Sequence, residues 1–275
     1  MRKIAFTSSA RLSAALLTLC LIFSAHAQNQ PAPKPNPNDE ILARAGNLYY
    51  STEKTGLDSF VCAIHPDWNA LFLSADKSVT ASDPRIVLLN SVKITLHGRR
   101  KGTPSLDWNP PAVQDKNSIK LLDDMHQATE QTLMGFMQFW TPFVDGSAVP
   151  ASSEGLEMTR TEQRFKLHAI TGDTDVTEEL DNRLLLKHFN VVMSMATVNF
   201  VPAYKSTDKG LLVNSFVANI QPAGSPPEKA QEMHVAIDYQ TVDGFPLPAR
   251  LNMNVINSGE FDFSFDGCTV TRQAK

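Results

Sequence analysis

In the C-terminal half of the chain, apolar residues recur at every second position. Met233, Val235, Ile237 and Tyr239 alternate with His234, Ala236 and Asp238. Leu251, Met253 and Val255 oppose Arg250, Asn252 and Asn254, and Phe261, Phe263 and Phe265 oppose Asp262, Ser264 and Asp266. A two-residue period puts one set of side chains against a core and the other in water, the signature of half-buried strands. Strands are predicted over 158–170, 191–200, 211–220, 233–241, 250–256 and 260–266. The links at 243–248 and 257–259 are short, which suits antiparallel neighbours and a meander.

The N-terminal half changes period. Ile41, Leu42, Ala45, Leu48 and Tyr49 share a helical face, with Asn38 or Asp39 placed to cap it. Gly56 closes this region, and 57–64 reads as a strand with Phe60, Cys62 and Ile64 on one side. Pro66 then suits the first turn of a short helix that carries Trp68, Leu71 and Phe72 inward. Residues 92–97 and 106–108 read as a hairpin with a basic tip at 98–102. The strongest helix is 118–144, where Ile119, Leu122, Met125, Leu133, Phe136, Met137, Trp140 and Phe143 form a stripe; Gly135 and Pro142 are its expected points of interruption.

Ahead of all this, Arg2, Lys3 and Arg11, an apolar stretch from Leu12 to Phe23 and Ala25-His26-Ala27 make the three parts of a secretory signal, with cleavage expected after Ala27. The apolar stretch is shorter than the roughly 20 residues a membrane span needs, so a mature chain without a span, periplasmic or secreted, is expected. Losing the three cations takes the formal charge from −4 to −7, which argues against a nucleic-acid binder. Residues 28–38 alternate proline with polar residues and read as a disordered tether. One domain is expected over 39–275, with a helical insertion at about 66–146.

Cys20 leaves with the signal. Cys62 and Cys268 remain, one possible pair in an oxidising compartment. Cys268 is in phase with Asp262 and Asp266 rather than with the phenylalanines. Either Gly267 makes a bulge that swaps the face, or the disulfide lies on the outer face.

Candidate chemistry is sparse. The nucleophile elbow, the phosphate loop, the paired-histidine zinc pattern and Cys-x-x-Cys are all missing from the sequence. No metal site or cofactor is expected. His126 and Glu130 sit four apart on the long helix, a spacing commoner for a surface pair than for a site. The acidic run from Asp173 to Asp181 lacks the glycine and third ligand of a calcium loop; it reads as a helix start, with Asp175 as cap and Glu178 completing the box.

The run from Met233 to Tyr239, the turn Val242-Asp243-Gly244-Phe245-Pro246-Leu247-Pro248 and the alternating Arg250 to Val255 resemble the half-barrel superfamily of periplasmic outer-membrane lipoprotein carriers (LolA/LolB-like). The resemblance covers about 156–271 and implies an α+β fold: a curved antiparallel sheet, an incomplete β-barrel, packed around a long amphipathic helix, with an N-terminal helix. It also implies a non-enzymatic role in which lipid or lipoprotein acyl chains are held in a cleft between sheet and helix. The candidate lining is Phe136, Met137, Trp140, Phe143, Val235, Ile237, Tyr239, Leu251, Met253, Phe261 and Phe263. The default reading of the same residues is a filled core, which would suit a structural or partner-binding envelope protein. A hydrolase with a site assembled from distant residues is the third possibility.

Overall fold

The computed structural model describes residues 36–100, 102–256 and 259–273. The expected signal (1–27) and most of the expected tether lie outside the described residues, as does Lys101 at the basic tip. Twelve strands in antiparallel ladders and a small number of helices give an α+β fold. Among the described residues, 55–139 and 235–273 make one compact unit, and 36–54 and 140–234 make another.

In the first unit the strand order is β3-β2-β1-β12-β11-β10, counting strands along the chain, with β10 entering the unit at Val235. These are β1 (Leu57–Pro66), β2 (Lys93–Arg99), β3 (Ser105–Asn109), β10 (Gln231–Val242), β11 (Phe245–Val255) and β12 (Gly259–Arg272). The alternation read from the sequence is realised: Met233, Val235 and Ile237, then Leu251 and Met253, then Phe263 and Phe265 are all buried. The β10–β11 connection is tighter than expected. Asp243 (φ 49°) and Gly244 (φ 85°) make the whole turn, in the left-handed pair of conformations that matches strand twist, and Phe245 to Pro248 already belong to β11. Pro66 ends β1 rather than starting a helix, and Asp67 caps the short helix (Trp68–Ala75) by accepting from the Ala70 amide at 2.8 Å. A further helix, Pro84–Asn90, is not among the expected elements; Asp83 caps it by accepting from the Arg85 amide, and Pro84 opens its first turn.

The alternative posed by Cys268 is resolved by a bulge. Val61 pairs with Thr269 and Ala63 with Asp266, so Gly267 and Cys268 together stand opposite Cys62. Gly267 has φ +56°, a conformation that costs other residues about 1 kcal/mol or more. The extra residue turns Cys268 onto the face of Phe60 and Ile64, and it bonds to Cys62, which is fully buried.

The second unit orders its strands β9-β8-β7-β6-β5-β4. They are β4 (Glu157–Arg160), β5 (Arg164–Thr171), β6 (Thr174–Asp181), β7 (Leu186–Val192), β8 (Ala196–Thr207) and β9 (Gly210–Pro222). Three expectations need correction. The strand expected over 158–170 is two, β4 and β5, because the Thr161 hydroxyl and backbone close a turn with Arg164. The strand expected over 191–200 is also two, turned at 193–195. The acidic run is not a helix start: it forms β6, reached by a hairpin turn at Gly172 (φ 62°).

The N-terminal helix, α1 (Pro37–Gly46), begins ahead of the expected start near Asp39. Asn36 is its cap, accepting from the Asn38 amide. Asp39 instead accepts from the Ser153 amide at 2.7 Å, and the Asn36 side-chain amide donates to the Ser153 hydroxyl. The chain then meets β9: the Tyr50 amide donates to Leu211 O and the Leu211 amide to Leu48 O, both at 2.8 Å. A Cβ at Gly210 (φ +120°) would lie 2.8 Å from the Tyr49 carbonyl carbon, so only glycine allows this approach.

The long helix (Lys116–Asp145) passes from one unit to the other at 139/140. Neither Gly135 nor Pro142 interrupts it. Ile119 is 41% exposed and lies off the buried stripe, which continues instead through Thr129 and Val144. At its last residue, Asp145, the carbonyl accepts from the Ser51 hydroxyl (2.7 Å) and the carboxylate from Thr52 Oγ1 (2.7 Å), satisfying groups that a helix end leaves open.

The disulfide spans 206 residues of sequence. Replacing both cysteines by alanine is expected to lower the unfolding free energy by about 2–4 kcal/mol, read as a lower urea midpoint. Gly210→Ala should destabilise the protein more than Gly172→Ala, whose added Cβ would enter open space; thermal melts of the two variants make the comparison.

Candidate functional site

The residues expected to line a cleft do not fall in one unit. Phe136, Met137, Val235, Ile237, Leu251, Met253 and Phe263 are buried in the first, with Leu251 paired to Phe263 and Met253 to Phe261 across β11 and β12. Tyr239 and Phe261 are half-buried there. Trp140 and Phe143 belong to the second unit and are buried in it. Most of this set is therefore covered by its own surroundings.

The second unit carries a feature that sequence reading missed. On β6 the inward positions are Thr174, Val176, Glu178 and Leu180. Glu178 is 3% exposed, the one carboxylate or basic side chain that is buried among the described residues. Register places it in a row that crosses the sheet. Leu167 on β5 pairs with Glu178, Glu178 with Phe189 on β7, Phe189 with Phe200 on β8, and Phe200 with Ala218 on β9. The other four members of the row are apolar and buried. Oε2 of Glu178 has no hydrogen-bond partner among the described residues; the buried hydroxyl of Tyr204 on β8 lies against the Tyr49 hydroxyl.

Two tyrosines stand beside it. Tyr49 Oη accepts from the Leu186 amide at 2.7 Å. Leu186 pairs with Leu180, the inward residue next after Glu178 on β6, so the hydroxyl lies one inward step, roughly 7 Å along a strand, from the Glu178 row. The Tyr204 ring meets Tyr49 edge-on, centroids 5.2 Å apart. The turn beside them is held tightly. Asp181 Oδ1 accepts from the amides of Arg183 and Leu185, and Leu184 is forced to φ 66°, a strained conformation for a bulky side chain.

Burial sets the electrostatics. It pushes the Glu178 carboxyl up to about 8, so the group is protonated and neutral at pH 7. Burial pushes Tyr49 up to about 12, against the lowering effect of the Leu186 N–H. It also raises Tyr204, with the neighbouring Tyr49 and Glu178 adding to the rise. The wall thus offers a neutral carboxyl and phenols, each able to donate and accept hydrogen bonds.

The other sequence candidates resolve into surface contacts. The outward acidic residues of β6 are paired: Asp175 with His168 Nε2 (3.0 Å) and Glu179 with Arg164 (2.8 Å). His126 stacks on Trp108, centroids 5.0 Å apart. Among the described residues no three His, Cys, Asp or Glu side chains are grouped to hold a metal ion, and no helix is long and apolar enough to cross a membrane. No protein family, curated protein or solved structure matches this chain.

Glu178 also makes stability depend on pH. Its folded pKa lies above the ordinary value of 4.5. Between those values the unfolded chain has released the proton and the folded chain retains it, so stability falls as pH rises from about 4.5 to 8, by at most about 1.4 kcal/mol per unit. Glu178→Gln should flatten this slope in urea titrations across that range.

Proposed function

We propose that this is an exported, non-enzymatic protein that binds a lipid or other hydrophobic ligand, in the manner of the lipoprotein carriers its C-terminal half resembles. The ligand's place is the inner face of β5–β9, with α1 and the last turns of the long helix, which carry Leu42, Trp140 and Phe143 in the same unit. One observation carries the reading: an apolar wall that retains a buried carboxyl oxygen, Glu178 Oε2, without a partner. A buried unpaired polar group costs about 1–3 kcal/mol. An apolar ligand with a polar end removes that cost while its chain adds burial at roughly 25 cal/mol per Å² before ordering costs. Phenylalanine, the main aromatic of this wall through Phe165, Phe189, Phe200 and Phe216, suits a chain of methylenes.

A second reading, an envelope protein with a filled core, is favoured by the first unit, where Phe136, Met137, Leu251 and Phe263 are at most 2% exposed. Native mass spectrometry of gently purified protein separates the two. Lipid-sized mass adducts that delipidation removes are expected. A bare polypeptide mass, with no adduct regained on incubation with phospholipid or fatty acid, would sink the first reading in favour of the second.

A further inference from the structure

We propose that Glu178 is the anchor for the uncharged hydrogen-bonding end of an otherwise apolar ligand, a hydroxyl or carbonyl group, with the Tyr204 hydroxyl as its second contact. This rests on the hydrophobic-ligand reading above and adds the chemistry of the ligand's polar end.

The case comes from placement. A carboxyl between Leu167 and Phe189 in the row Leu167–Glu178–Phe189–Phe200–Ala218 contributes nothing to that row's packing that a leucine would not. Replacing an unpaired buried polar group by an apolar one of similar shape is neutral or stabilising, so the glutamate weakens the fold at this position. Its free oxygen and the buried Tyr204 hydroxyl, which lies against Tyr49 and keeps an acceptor lone pair, belong to the same unit; Tyr49 itself accepts from Leu186 on the strand beside Glu178.

The surroundings select against charge. Inward residues of the flanking strands near Glu178 are Phe165, Leu167 and Ala169 on β5 and Leu186, Phe189 and Val191 on β7. No cation among them would meet an anionic head group. A cationic head would demand that Glu178 ionise inside an apolar wall. A neutral carboxyl donates its O–H to a carbonyl or hydroxyl oxygen and accepts from a hydroxyl, as does the phenol; a fatty alcohol, an acylglycerol or a fatty amide has the required end.

The test uses the fluorescent hydrocarbon diphenylhexatriene, which has no polar end, displaced by 1-decanol. Wild type, Glu178→Leu, Glu178→Gln and Tyr204→Phe are all expected to bind the hydrocarbon. Decanol should displace it from wild type and Glu178→Gln at concentrations within about threefold of each other. From Glu178→Leu the displacing concentration should rise roughly tenfold, the worth of one hydrogen bond, and from Tyr204→Phe by a smaller factor. Equal decanol midpoints in wild type and Glu178→Leu, with hydrocarbon binding intact, overturn the anchor and leave the hydrophobic-ligand reading standing. Displacement by decyltrimethylammonium from wild type but not from Glu178→Gln overturns the uncharged class. Hydrocarbon binding by none of the proteins overturns the reading and the anchor together. Should Glu178→Leu fail to fold, equal midpoints in wild type and Tyr204→Phe overturn the shared contact.

Discussion

Antiparallel backbone pairing, with its strict alternation of faces, is the constraint from which the other features of this protein follow. Once two strands are paired, each side chain is assigned to one face, and a single extra residue reverses the assignment beyond it. Cys268 shows the consequence most directly. In unbroken alternation it would face water with Asp262 and Asp266. With Gly267 and Cys268 both opposite Cys62, it faces the core and can reach its partner. The left-handed conformation of Gly267 is what makes the reversal accessible.

The same rule places Glu178. Strand β6 has acidic residues on both faces, and their fates differ entirely. Asp175 and Glu179 point outward, where solvent and the partners His168 and Arg164 satisfy them. Glu178, one position away, points inward among apolar neighbours and keeps its proton at neutral pH. Nothing in the residue type distinguishes them; only the parity of the position does.

Stability and the proposed anchoring role pull against each other at this position. The neighbouring turn holds Leu184 in a conformation that favours glycine, and the two nearby tyrosines are drawn together by contacts from α1's trailing segment through β9. Such clusters of strain and unpaired polarity are characteristic of binding sites, because a fold with no other demand on it would replace them with apolar packing.

Much of the fold was legible in the sequence. Periodicity located β10, β11 and β12, the long helix and the N-terminal helix, since burial on one face leaves its mark on residue type. The two cysteines allowed one pairing, and that bond is present. Less legible were elements whose pattern fits two structures. Asp175 with Glu178 three residues on matches a helix capping box, yet both residues also fit a strand, so the acidic run reads locally as a helix start. Turns at 161–163 and 193–195 lack the glycines that would have divided two long strands. What only the tertiary structure decided was non-local: the β1–β12 register that brings Cys62 opposite Cys268, the division of the expected cleft residues between two units, and the meeting of Tyr49, Tyr204 and Glu178, which are far apart along the chain. Local sequence records which face of an element is buried; which element covers that face is set by pairing between distant segments, and that leaves no trace in a residue's immediate neighbours.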